Sequence, residues 1–115
     1  MQRRFRLRRS TDFESLRRDG RQWHHPLAIL VINPNRRPES RFGFSASRHI
    51  GKATVRNRVK RLLREAVRKK IDAVQPGWDC LFIARRAAVE ADYREIESAV
   101  TQLLCRANVF INEQD

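Results

Sequence analysis

The sequence predicts an α+β fold, a small α/β sandwich whose elements run helix, strands, helix, strand, helix. Three observations predict it. Residues 27–32 form an unbroken apolar run, residues 41–47 alternate with period two, and two later stretches space their apolar residues as helices do. A chain of 115 residues has room for one core, and no repeat or low-complexity linker divides it. Residues 1–115 are therefore read as one domain, with 107–115 as a C-terminal tail.

Each element has a local reason. Thr11-Asp12-Phe13-Glu14 fits a capping box, with Thr11 as cap, and Gly20 is a natural stop for the short helix that follows. Phe13 and Leu16 share one face of that helix. The run Leu27-Ala28-Ile29-Leu30-Val31-Ile32 lies between Pro26 and the turn at Asn33-Pro34-Asn35, which reads as a buried strand. Phe42, Phe44 and Ala46 alternate with Arg41, Gly43, Ser45 and Ser47, giving a strand with one apolar and one polar face. From Thr54 to about Lys70 the period changes, and Val55, Val59, Leu62, Leu63, Ala66 and Val67 fall on one side. After the Pro76-Gly77 turn, residues 78–84 read as a strand. Asp92 to Glu95 then caps a last helix with Ile96, Val100, Leu103, Leu104 and Ala107 on its apolar face.

Charge points to function. Lys plus Arg is 25 against 13 for Asp plus Glu, a net charge of +12, and 21 of the basic residues are arginine. Arginine forks onto phosphate and stacks on bases, and a domain this basic repels itself unless a polyanion neutralises it. The excess lies in two blocks: residues 1–21 net +5 and residues 48–70 net +9, whereas residues 71–115 net −4. Within the second block Asn57, Arg61, Arg64 and Arg68 form a stripe opposite the apolar face, flanked by Arg58 and Lys60. A solvated helix face mixes signs at i, i+4 spacing, but here nine basic residues meet one acid between Lys52 and Lys70. The expected partner is a nucleic acid.

The segment Arg56-Asn57-Arg58-Val59-Lys60-Arg61-Leu62-Leu63-Arg64-Glu65 closely resembles the "RNR" signature of the bacterial ribonuclease P protein subunit. The preceding Phe42-Gly43-Phe44-Ser45-Ala46-Ser47-Arg48-His49-Ile50-Gly51-Lys52-Ala53 is similar to that family's strand and basic loop. Arg6-Leu7, Asp12-Phe13 and Gly20 are similar to its first helix, so the resemblance runs from about residue 3 to residue 106.

That resemblance implies a left-handed crossover between parallel strands around the basic helix, a connection that is otherwise almost always right-handed. It implies that a large RNA subunit, using Mg²⁺ held on the RNA, removes the 5′ leader of precursor tRNA. The protein, monomeric in the complex and cytoplasmic, then binds that RNA and the leader and carries no catalytic residue or dedicated metal site. Arg48, Lys52, Arg56, Asn57, Arg58, Lys60, Arg61, Arg64 and Arg68 would contact the catalytic RNA. Phe13, Arg17, Phe42 and Phe44 would face the leader. From the residues alone, the three phenylalanines fit either a cleft or the core, and Asn57 fits either an RNA contact or a helix cap. Arg17 stands where many relatives have an aromatic, which implies an ionic contact. His49 replaces a common lysine, removing a charge near neutral pH.

Other classes fit less well. There is no apolar run of membrane-spanning length, and the basic N-terminus is followed by Asp12, Glu14 and Asp19 rather than by a secretory or organelle-targeting pattern. Cys80 and Cys105 sit in apolar neighbourhoods and read as reduced core thiols of a cytosolic protein, with no zinc spacing. A self-sufficient ribonuclease would need acid and base from His24, His25 and His49, yet no carboxylate is placed to orient a ring. A ribosomal or generic RNA-binding protein fits the composition, and the extended motif is what favours the ribonuclease P subunit over it.

Overall fold

A computed structural model describes residues 1–111. Three helices pack on a four-stranded mixed sheet. Helix α1 covers Ser10–Asp19, then strands β1 (Arg21–His24), β2 (Ala28–Pro34) and β3 (Arg41–Ser45) follow. Helix α2 (Ala53–Arg68), strand β4 (Trp78–Ala84) and helix α3 (Tyr93–Arg106) complete the order. The strands lie side by side as β1-β2-β4-β3. β2 is antiparallel to β1 and β4, whereas β3 runs parallel to β4, so α2 is the crossover of a βαβ unit.

The sheet has a thick side and a thin side. On the thick side α2 and α3 cover Leu30, Ile32, Phe42, Cys80 and Phe82 with Val59, Leu63, Val67, Ile96, Val100 and Leu104, all at most 3% exposed. Burying each large side chain contributes about 1.5–3 kcal/mol, so this side dominates the stability. On the thin side only α1 and Leu7 cover Val31 and Leu81, through Leu16, leaving Phe13, Ile29 and Ile83 half-exposed. α1 lies close because Gly20 has no side chain: a Cβ there would come within 2.5 Å of both the Leu16 carbonyl and Val31.

Several expectations change. The first helix begins at Ser10 with Arg9 as N-cap and no side-chain cap, so Thr11 is not the capping residue. The Arg9 carbonyl instead takes the amides of Asp12 and Phe13, because the chain enters the helix two residues sooner. β1 was not anticipated: its exposed Arg-Gln-x-His pattern around Trp23 lacks an apolar face, as suits an edge strand. Phe42 is 1% exposed and belongs to the core, so it has no surface to offer a leader. Cys105 is exposed rather than a core thiol, while Cys80 is fully buried.

Residues 107–111 are not a tail. Asn108 adopts a left-handed φ of 59°, and the amides of Asn108 and Val109 bond back to the carbonyls of Cys105 and Leu104. This is the Schellman arrangement that ends helices. Val109 is then fully buried, and Val109 and Ile111 bond to Gln75 and Ala73. Residues 112–115, the rest of the expected tail, lie outside the described residues.

Candidate RNA interface

The basic helix is positioned by its apolar stripe. Val59, Leu63, Ala66 and Val67 are buried against the sheet and α3, which turns Asn57, Arg58, Arg61 and Arg68 to the exterior and leaves Arg56, Lys60 and Arg64 half-buried. Arg48 and Lys52 are exposed on the loop that leads in from β3, and Lys52 is the N-cap of α2. Asn57 lies inside the helix and makes no cap, so its capping role falls.

Carboxylates are scarce on this surface. Among the described residues Arg56, Arg58, Lys60, Arg61 and Arg64 have no ion-pair partner. The single acid, Glu65, is taken by Arg68, whose guanidinium holds the Glu65 carboxyl below its ordinary range. Among the described residues the only tie on Arg58 is a 3.3 Å bond from its Nη1 to the Val89 carbonyl. The Nε atoms of Arg56 and Arg64 are buried without a partner among the described residues. Five cations therefore share one helix with no internal neutralisation, a surface suited to a chain of phosphates.

A second feature lies where α1, β3 and α2 meet. Phe13, Arg17, Phe44, Ser45, Ala46 and Lys60 line a groove of about 340 Å³. Gly43 makes it possible, since a Cβ there would fall 2.7 Å from the Phe13 ring. The Arg17 guanidinium donates to Ser45 Oγ at 3.3 Å. Phe44 stacks on Phe82 with ring centres 6.0 Å apart, and the Arg64 guanidinium lies 5.7 Å from its centre. Phe13 and Phe44 are thus half in the core and half on the groove, which satisfies both readings of each. Of the four leader residues expected from sequence, Phe13, Arg17 and Phe44 come together and Phe42 does not. Gly43 and Ser45 were missed, although a glycine inside a strand is itself a sign of close approach.

The histidines do not assemble. His24 and His25 adjoin the end of β1, and His49 follows β3, so they sit by opposite edges of the sheet, roughly 14 Å apart in strand spacings. Among the described residues the His49 ring bonds only to Ser47 Oγ, and His25 Nδ1 accepts the Leu27 amide at 3.0 Å. No described carboxylate bonds to any of the rings, and among the described residues no three of His, Cys, Asp or Glu gather as a metal ligand set. Among the described residues no helix is long and apolar enough to cross a membrane.

Comparison with known proteins agrees with this geometry. The family model described as Ribonuclease P matches residues 1–108. The ribonuclease P protein component of Roseiflexus castenholzii is 44% identical over 110 residues, covering 95% of this chain and 90% of its own. That of Herpetosiphon aurantiacus is 42% identical, covering 96% and 89%. Among solved structures, the RNase P protein of Staphylococcus aureus superposes with a TM-score of 0.86 at 25% identity, covering 93% of this chain and 98% of that one. The RNase P protein from Thermotoga maritima gives 0.80 at 28% identity, covering 88% and 96%. With a family model matched over residues 1–108, a mixed four-stranded sheet and relatives matched over nearly their whole length, the chain belongs to the ribonuclease P protein component family.

Proposed function

We propose that this chain binds the catalytic RNA of ribonuclease P through the α2 face and the 5′ leader of precursor tRNA through the groove beside α1. The observation that carries the first part is the row of arginines and Lys60 without carboxylate partners. The second part is supported by half-exposed aromatic rings flanked by Arg17 and Lys60, a pairing suited to unpaired bases and their phosphates. Cleavage belongs to the RNA, and Mg²⁺ is assigned to the RNA as well. The protein's part is positional: it neutralises phosphates and holds the leader, adding binding energy away from the scissile bond. It acts as a monomer in the complex, in the cytoplasm.

The test is precursor-tRNA cleavage at low Mg²⁺ with the protein alone, a bacterial ribonuclease P RNA alone, and both. Activity confined to the mixture, leaving a 5′-phosphate on mature tRNA, is the expected result. Cleavage by the protein alone would move the chemistry into this chain. Inertness in the mixture, with controls active, would leave a generic RNA-binding protein. In the same assay Phe13→Ala should reduce the preference for precursor over mature tRNA by about 1 kcal/mol, the lower end of base–aromatic stacking.

A further inference from the structure

Of the first basic block of the sequence only Arg17 takes part in a surface described above, yet the fold gives the arginines at 3–9 a definite shape. The N-terminal segment is anchored to the edge of β3. Leu7 is 5% exposed and its amide bonds to the Phe42 carbonyl at 2.8 Å, while Arg6 bridges to the same residue. The arginines on both sides of Leu7 are thereby fixed around a hollow of about 440 Å³, closed on its other side by Arg37 and Arg41. Two of these arginines are spoken for. Arg41 makes a bidentate pair with Asp79, at 3.0 and 2.8 Å, and reaches Asp12, while Arg4 meets Glu39. Arg3, Arg6, Arg8, Arg9 and Arg37 have no carboxylate partner among the described residues.

Five uncompensated guanidinium groups around one hollow repel one another, and a chain of phosphates is the ligand that relieves this most fully. Arginine in place of lysine throughout favours forked, bidentate recognition of phosphate oxygens. Position selects the source. The basin opens at the start of β3, where Arg41 meets Asp12 of α1, and the aromatic groove lies at the end of β3, where Ser45 meets Arg17. These are two ends of the α1 side of the sheet, roughly 13 Å apart along the strand and within reach of a few extended nucleotides. The α2 helix packs on the opposite face and meets the groove at the β3 edge through Lys60, whereas no α2 residue lines the basin.

The geometry points to a second, distal phosphate site: the arginine basin takes the backbone of the 5′ leader upstream of the nucleotides held in the groove. This rests on the leader reading proposed above and adds to it a separate site and a dependence on leader length.

The test uses the reconstituted holoenzyme and the double variant Arg8→Gln with Arg37→Gln. Its control is Arg18→Gln with Arg94→Gln, which removes the same charge from exposed positions elsewhere. Affinity is measured against salt for precursors with a short leader that ends in the groove and a long leader that passes the basin. The basin variant should bind the long-leader precursor about tenfold more weakly, with the salt slope reduced by roughly 1.4, as two lost single-strand phosphate contacts require. It should match the wild type on the short leader and in binding the catalytic RNA, and the control should match throughout. Equal loss on both leaders, or weakened catalytic-RNA binding, would overturn the assignment by giving the basin to another RNA. No loss in any arm would make it a solvated basic segment. Failure of the wild-type holoenzyme to discriminate precursor from mature tRNA would instead sink the leader reading itself.

Discussion

α2 and α3 lie side by side on the same face of the sheet and are built to opposite specifications. α3 opens with a complete capping box: Asp92 accepts the Glu95 amide at 2.9 Å, and the Glu95 side chain accepts the Asp92 amide at 3.0 Å. Its first turn carries an acid and its last turn Arg106, both in the sense the helix dipole favours. α2 opens on Lys52 with no side-chain cap and no acid in its first turn, and Arg56, Asn57 and Arg58 follow at once. The charges at its N-terminus run against the dipole, and only Arg68 in its last turn runs with it. Both helices bury an apolar stripe against the sheet, with Val55 and Leu62 of α2 only partly covered, so the main difference lies in the outer faces and the N-terminal ends. α3 is what a helix becomes when only the fold constrains it, and the outer face of α2 matches what the polyanion partner proposed above would require.

The comparison breaks most visibly at the centre of the α2 face. Arg58→Ala with Arg61→Ala removes two unpaired guanidinium groups and one bond to the Val89 carbonyl. At about 1.5 kcal/mol for each charge-assisted contact, affinity for ribonuclease P RNA should fall by about 3 kcal/mol, or roughly a hundredfold. The thermal midpoint should stay near that of the parent. A titration of the RNA across salt concentrations checks it, and unchanged affinity and slope would return the helix to the class of solvated surfaces.

Exchanging the caps sharpens the contrast. Asp92→Ala should cost about 1 kcal/mol of stability and leave RNA affinity alone. Lys52→Asp places a good capping residue on backbone that is already extended, at φ −64° and ψ 166°. It should stabilise the free protein by about 1 kcal/mol while weakening RNA binding, which chemical denaturation and RNA titration can read separately. If Lys52→Asp improves both, the open end of α2 has nothing to do with RNA.

The same contrast explains what could be read in advance. β2, β4, α2 and α3 are each carried by one uninterrupted period, and the α3 box lies within four consecutive residues, so local sequence specifies them. The opposite case is β1, whose residues form a strand because β2 offers an edge to pair with, not because of their own pattern. Phe42 and Phe44 look identical in the alternation, and only the end of the strand separates them: one lies under the helices and the other reaches the groove. The arginine basin was visible only as charge, because Arg37 and Arg41 join residues 3–9 through the pairing of the N-terminal segment with β3. Similarly, Asn108 gives Val109 a place in the core that composition near a chain end does not suggest.

The smallest expected effect lies on the α3 side and concerns pH. His25 adjoins Arg94, Glu95, Ser98 and Gln102 of α3, and its Nδ1 accepts the Leu27 amide, which only an unprotonated nitrogen can do. Partial burial first, and the nearby Arg106 guanidinium second, hold its pKa below the ordinary imidazole value. The unfolded chain therefore binds the proton more readily than the folded one. The contribution of His25 is complete above about pH 6.5 and declines as the pH falls below that value toward the lowered folded one. Because the ring is only partly buried, the change should be a small slope in the thermal midpoint across this window, absent in His25→Asn. α2 carries no histidine, so its RNA affinity should follow salt across the same window with little response to His25. An RNA affinity that moved with the His25 titration would mean that the two helices are coupled, and that the division between a helix tuned for folding and a helix tuned for a polyanion does not hold.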